Sequence, residues 1–173
     1  MERVRPPAVR RLLLAASLLM SLAAPSLAAS RGDVVEVTAS ALNVRDAVWG
    51  RVLATATRGE RFVVAEARSG WLGIDFAGRR AWLSGAYARR VAGAKVVVTT
   101  DALNVRGGAS TAYAAFGLAR RGQAYARLGS QGDWVHIQFG RRDGWVHEDY
   151  VRAGRRPGTT SSAGGEDGLV PPA

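Results

Sequence analysis

Ala41-Leu42-Asn43-Val44-Arg45 recurs letter for letter as Ala102-Leu103-Asn104-Val105-Arg106, 61 positions further along the chain. Beyond it, Arg58-Gly59, Trp71, Phe76, Trp82 and Tyr87 return as Arg121-Gly122, Trp134, Phe139, Trp145 and Tyr150, each 63 positions on. Self-similarity at a nearly constant interval is the mark of one structural unit used twice. The shift from 61 to 63 places a two-residue difference between Arg45 and Arg58 and their counterparts, in a stretch that reads as loop, where length changes are tolerated.

Each unit of about 58 residues reads as short strands parted by turn chemistry. In the second unit, Lys95 to Thr99 and Leu103 to Arg106 are the first strands, Gly107 to Arg120 is a long irregular loop, and Gln123 to Leu128 begins the next strand. Gly129-Ser130-Gln131-Gly132-Asp133 then turns the chain into Trp134 to Phe139, and Gly140-Arg141 joins that strand to Arg142 to His147 as a two-residue hairpin. Glu148-Asp149-Tyr150-Val151 suits one tight turn. The first unit runs in parallel, with Asp46 to Thr57 as its long loop and Trp49 within it. Helical periodicity is absent beyond residue 30, so the fold class is all-β.

Alternation along the hairpin sorts its side chains into two sets. Val135, Ile137 and Phe139 form the apolar set; Trp134, His136 and Gln138 share the other face. With Gly140-Arg141 as the turn, Gln138 stands opposite Asp143, His136 opposite Trp145, and Trp134 opposite His147. The same count sets Trp71 opposite Ser84 and Trp82 opposite Gly73. Both units are thus expected to turn tryptophan away from their own core, to be covered either by the long loops or by a ligand.

These residues carry a resemblance. The Ala-Leu-Asn-Val-Arg opening, the strand Gly132-Asp133-Trp134-Val135-His136-Ile137-Gln138-Phe139 and the closing Gly144-Trp145-Val146-His147-Glu148-Asp149-Tyr150-Val151 resemble the bacterial Src-homology-3 family, SH3b, in two tandem copies at 33–91 and 95–152. The resemblance implies two small, strongly bent five-stranded barrels that serve exported proteins as binding or targeting modules, often for peptidoglycan. It implies ligand contact by Trp134 and Tyr150, with His147 where eukaryotic relatives carry a groove-lining proline, and so argues against proline-rich peptides. The first copy departs from the pattern at Ala81-Trp82 and at Trp49, which implies that Trp71 and Tyr87 form a weaker or supporting site.

Asn43 and Asn104 read as amides within apolar strands, bonded to a neighbouring loop. Arg45 and Arg106, two positions on, brace the loop that follows, and Arg106 is also a candidate carboxylate ligand. Of 24 cationic residues only Lys95 is lysine, and the pairs Arg79-Arg80, Arg89-Arg90, Arg120-Arg121, Arg141-Arg142 and Arg155-Arg156 read as solvated turns or as a stripe for an anionic envelope polymer.

Residues 1–28 combine four arginines, an apolar run from Leu12 to Ala24 and the small-residue site Ser26-Leu27-Ala28, the pattern of an export signal cleaved after Ala28. Its 13-residue run is shorter than the roughly 20 a membrane span needs, so no stable span is expected. An exported chain makes nucleic acid a poor partner. Residues 153–173, rich in Gly, Ser, Pro and Ala, read as a disordered tail, whereas Ala92-Gly93-Ala94 is short enough to hold the units in contact.

The inventory argues against catalysis. There is no cysteine, His136 and His147 are the only histidines, and no nucleophile–base or phosphate-binding motif occurs. Two histidines beside Asp143 or Glu148 are a thin basis for a metal site, and no cofactor is implied. The sequence therefore suggests a periplasmic or secreted, non-enzymatic tandem module. Its expected site is Trp134, His147, Tyr150 and Arg106, with Trp71 and Tyr87 as the lesser one. A cell-envelope ligand, peptidoglycan peptide above all, is the expected partner, and an envelope protein docked on the same aromatic patch is the other reading.

Overall fold

The computed structural model describes residues 29–155. The export signal read over 1–28 and the tail beyond 155 lie outside the described residues. Two antiparallel sheets follow one another along the chain. The first holds β1 (Val34–Val37), β2 (Leu42–Arg45), β3 (Val52–Ala56), β4 (Arg61–Arg68), β5 (Trp71–Phe76), β6 (Arg79–Ser84) and β7 (Ala88–Val91). The second holds β8 (Lys95–Val98), β9 (Leu103–Arg106), β10 (Ala115–Ala119), β11 (Ala124–Gln131), β12 (Trp134–Phe139), β13 (Arg142–His147) and β14 (Val151–Ala153). Their spatial orders are identical, β3-β2-β6-β5-β4-β1-β7 and β10-β9-β13-β12-β11-β8-β14.

The expected five strands per unit become seven. β3 and β10 form within the stretches read as loops, where Val52-Leu53-Ala54-Thr55-Ala56 and Ala115-Phe116-Gly117-Leu118-Ala119 pair with β2 and β9. Their residues are too small and too little alternating to announce a strand alone. β7 and β14 close each sheet after a single 3-10 turn, Gly85–Tyr87 or Glu148–Tyr150. Residue 153 therefore ends a strand instead of opening a tail, and the Gly154 amide still donates to the Lys95 carbonyl at 2.9 Å. The two-residue length difference falls in the β2–β3 and β9–β10 connections, 46–51 against 107–114.

Each sheet bends around its own core. Val35, Val37, Val44, Phe62, Ile74 and Leu83 anchor the first, and Val98, Val105, Tyr125, Ile137, Phe139 and Val146 the second. The hairpin register matches the alternation: Trp134 faces His147, His136 faces Trp145, and Gln138 faces Asp143, while Trp71 faces Ser84 and Gly73 faces Trp82. The turn chemistry explains why it does not slip. Ala77 and Gly78 both have positive φ (50° and 79°), the two-residue turn whose twist suits a hairpin, and at the second hairpin Gly140 takes φ 74°.

The units diverge where Phe116 replaces Leu53. A Cβ on Gly144 would lie 2.8 Å from the Phe116 ring and 2.5 Å from Val105, whereas the first unit seats Ala81 there, fully buried, beside the smaller Leu53. The Gly144-Trp145 pair within β13 and its Ala81-Trp82 counterpart within β6 are thus two solutions to one packing problem.

A third apolar cluster joins the units: Val34 and Val63 of the first meet Ala126 of the second, with Val91 and Ala124 against them. Asp75, buried at 5% exposure, accepts the Ala124 amide across this seam at 2.9 Å and holds Arg80 at 3.3 Å. Lys95 Nζ donates to the Gly32 carbonyl, and the Gly78 turn sits against the Leu118 carbonyl. Burial pushes the Asp75 carboxyl above the ordinary carboxylate range, against the pull of the Ala124 amide and Arg80. Burial, with Asp75's charge behind it, also pushes the Tyr125 hydroxyl well up.

Replacing Asp75 by Ala leaves the Ala124 amide without its partner and is expected to cost about 1–3 kcal/mol in denaturant unfolding, more than Asp75→Asn, which keeps an acceptor. Because the folded chain holds the Asp75 proton more readily than the unfolded one, stability falls as pH rises through the window just above the ordinary carboxylate range, and Asp75→Asn removes that component. Gly144→Ala is expected to destabilise by about 1–3 kcal/mol, part of it recovered by adding Phe116→Leu in the same unfolding assay.

Candidate functional site

Strand alternation delivers the chemistry of the second unit to one place. Trp134 opens β12, His147 closes β13 directly opposite, and the 3-10 turn Glu148–Tyr150 swings Tyr150 to the same side. The Trp134 and His147 rings meet edge to face at 5.3 Å and 79°, and the His147 and Tyr150 rings lie 5.9 Å apart. Together with Arg106, Asn104 and Asp149 they line a cavity of about 620 Å3. Tyr150 is 48% exposed. His147 Nδ1 lies 3.5 Å from the Asp149 amide, which donates to it, and 3.4 Å from Asp149 Oδ2, and these contacts tether the ring to the turn.

Arg106 stands at the rim with divided duties. Its Nη1 donates to the Tyr113 carbonyl at 2.7 Å and the Thr111 carbonyl at 3.2 Å, so the guanidinium braces the β9–β10 loop while presenting its charge to the cavity. Arg45 does the corresponding work in the first unit, donating to the Gly50 carbonyl at 2.7 Å. Asn43 and Asn104, by contrast, are exposed: Leu42 and Val44, like Leu103 and Val105, take the core face, and simple alternation puts the amides outside. Asn104 consequently reaches the cavity as a polar group available to a ligand.

The same face continues along the hairpin. His136 stacks on Trp145 at 4.5 Å and 12°, with its Nε2 2.6 Å from Asp143 Oδ2. Trp145 and His136 are half-buried, covering one another. Among the described residues no group of three His, Asp or Glu side chains is arranged to hold a metal ion.

The first unit does not reproduce this groove. Trp71 and Trp82, expected to face outward, are 8% and 9% exposed. They lie off the core face, yet the protein itself covers them: Trp82 rests on Gly73 with the Arg68 guanidinium 5.8 Å from its ring, and Trp71 is met edge-on by Trp49 at 5.0 Å and 72°. Trp71 lines a second cavity of about 620 Å3, mostly of small residues and walled in part by Ala29, in which Tyr87 takes no part. Tyr87 stands 54% exposed apart from it. The pairing of Trp71 with Tyr87 as a ligand site is therefore not formed as expected, because Ser84, at the position of His147, is too small to bridge them.

Trp49 is the residue that sequence reading misses. The letters mark it as a departure in a loop but give it no role, and its significance lies in geometry: it adopts φ 62°, unusual outside glycine, and is 80% exposed. The arginine pairs are also less free than their letters suggest, since Arg80 meets Asp75, Arg89 meets Glu36, Arg90 meets Asp33 and Arg121 meets Asp101.

Residues 101–152 match the family model of the bacterial SH3 domain, and the second unit is such a domain. The chain is also 35% identical over 74 residues to a Bacillus subtilis (strain 168) protein, YrvJ, that carries the name of an N-acetylmuramoyl-L-alanine amidase. That match takes in 42% of this chain and 14% of the relative's length. Among solved structures, NlpC2 from Trichomonas vaginalis aligns over 72% of this chain and 49% of its own, at 10% identity and a TM-score of 0.32. An NlpC/P60 family protein from Bacillus cereus ATCC 10987 aligns over 70% and 56%, at 9% identity and a TM-score of 0.32. Both structural likenesses are too loose to define fold or function.

If Arg106 Nη1 braces the loop through the Thr111 and Tyr113 carbonyls, Arg106→Ala, which removes the donor, is expected to speed amide hydrogen exchange across 107–114 and leave the β11–β13 core protected. Unchanged loop exchange would contradict the bracing role.

Proposed function

We propose that this chain is an exported, non-catalytic tandem SH3b protein that holds a cell-envelope ligand, peptidoglycan peptide, in the groove of its second unit. The observation that carries the reading is the convergence of Trp134, His147, Tyr150, Arg106 and Asp149 on one open cavity of about 620 Å3. Aromatic walls accept alkyl side chains, while a guanidinium and a carboxylate in the same lining suit a ligand that bears both a carboxylate and an ammonium. Short peptides with free acid and amine groups have this chemistry, and they are what the peptide part of peptidoglycan offers.

Support also comes from the relative named for N-acetylmuramoyl-L-alanine, the junction between glycan and peptide. A module shared with such a protein fits a role in placing a chain on the wall. The groove itself presents no nucleophile paired with a base, and catalysis in this reading belongs to a partner. Among the described residues no helix is long and apolar enough to cross a membrane.

The test is co-sedimentation with purified murein sacculi at rising salt. Retention by the full chain is expected to survive salt that shortens the Debye length to about 3 Å, and to fall at least about tenfold in Trp134→Ala. Retention that vanishes with salt and ignores Trp134 would reduce the interaction to arginine charge. Absence of retention, with capture of an envelope protein by the same aromatic groove, would replace the reading by that of an adaptor.

A further inference from the structure

Trp49 stands where a solvent-facing indole has no reason to be unless it is used. Its loop is fixed rather than slack: the Asp46 amide donates to the Arg51 carbonyl at 3.1 Å, the Gly50 amide to the Ala47 carbonyl at 2.9 Å, and Arg45 clamps the Gly50 carbonyl. A Cβ on Gly50 would lie 2.2 Å from the movable Asp46 Oδ1 and 2.8 Å from the fixed Ala47 backbone nitrogen, so any side chain there displaces the turn. The left-handed backbone at Trp49 is thus held by its surroundings, the circumstance in which strain points to use.

The position is also meaningful. In the second unit the ring met edge to face by Trp134 belongs to His147; in the first, Ser84 fills the equivalent place and Trp49 supplies the edge-to-face ring from another element, at nearly the same separation and angle. A plug sealing the groove would be buried. Trp49 touches Trp71 with one part of its ring and leaves 80% of itself in water, so it is a platform.

What such a platform takes follows from its setting. It is one flat apolar surface, flanked in the same turn by the exposed side chains of Asp46 and Arg51, which lie 3.8 Å from each other. A protein partner would call for a broader apolar patch. A pyranose ring matches directly, with its C–H face on the indole and its hydroxyls within reach of a carboxylate and a guanidinium. We propose that Trp49, seated on Trp71, is a sugar-stacking site by which the first unit binds the glycan strand of the envelope polymer. This deepens the reading of the second unit's groove as a peptide site and rests on it for the identity of the polymer.

The experiment is titration of the full chain with a peptide-free N-acetylglucosamine oligomer, followed by calorimetry, and separately with a glycan-free stem peptide. Oligomer binding is expected in the wild type, weakened at least about tenfold by Trp49→Ala and also weakened by Gly50→Ala, which disturbs the turn and keeps the indole. Leu128→Ser, which removes an exposed apolar side chain elsewhere, is expected to leave it unchanged. No oligomer binding, or binding indifferent to Trp49→Ala, would overturn the proposal, and stem-peptide binding in that case would leave the groove reading standing. Oligomer binding lost with Trp49, without stem-peptide binding, would support the sugar site while removing the peptide groove.

Discussion

The structure depends on the register of two hairpins built of six-residue strands, β5–β6 and β12–β13. A strand has period two, so a slip by one residue would exchange the faces, drawing the indoles inward and turning Val135, Ile137 and Phe139 out to water. Two-residue turns with left-handed backbone at Ala77-Gly78 and Gly140 hold the register, and the apolar sets on the core side make any slip costly. The placing of Trp134, His147 and Trp71 on the face away from the core is a consequence of that register.

From one repeated plan the two units have become unlike. The second opens a groove between Trp134, His147 and Tyr150; the first, with Ser84 in place of histidine, closes over Trp71 and Trp82 and brings forward Trp49 on a shorter loop. The exchange of Phe116 and Gly144 for Leu53 and Ala81 shows the same history in the core. The seam of Val34, Val63 and Ala126, with the Asp75 carboxylate on the Ala124 amide, then joins the two aromatic surfaces in one body. Two modest contacts on one linked framework raise the effective concentration of the second once the first has formed, which suits a repetitive polymer of sugar and peptide.

Much of this was legible in the letters. The repeat stands in the letters themselves, the hairpin pairing and the meeting of Trp134 with His147 follow from alternation and a two-residue turn, because these are local rules, and Tyr150 joins them only through the family resemblance. The missing strands β3 and β10 had no such rule to betray them: Ala54, Thr55, Ala56, Ala115, Gly117 and Ala119 form strands because β2 and β9 offer partners. That a long loop could cover Trp71 was among the expectations, but the residue that does so was not legible, since it depends on a left-handed Trp49 in that loop. The amides Asn43 and Asn104 show the opposite failure, where the simple alternation of Leu-Asn-Val-Arg already placed them outside and the apolar context distracted from it. The seam partners Val63 and Ala126 carry no letter-level mark of contact between units.

The most direct measurement is a nuclear magnetic resonance titration of the five indole N–H signals with a soluble muropeptide containing both sugar and peptide. The Trp134 and Trp49 resonances are expected to move together with those of His147 and Tyr150, while Trp82, shut beneath Arg68, stays in place. Stationary indoles, with shifts confined to arginine-rich turns, would contradict recognition by the aromatic faces.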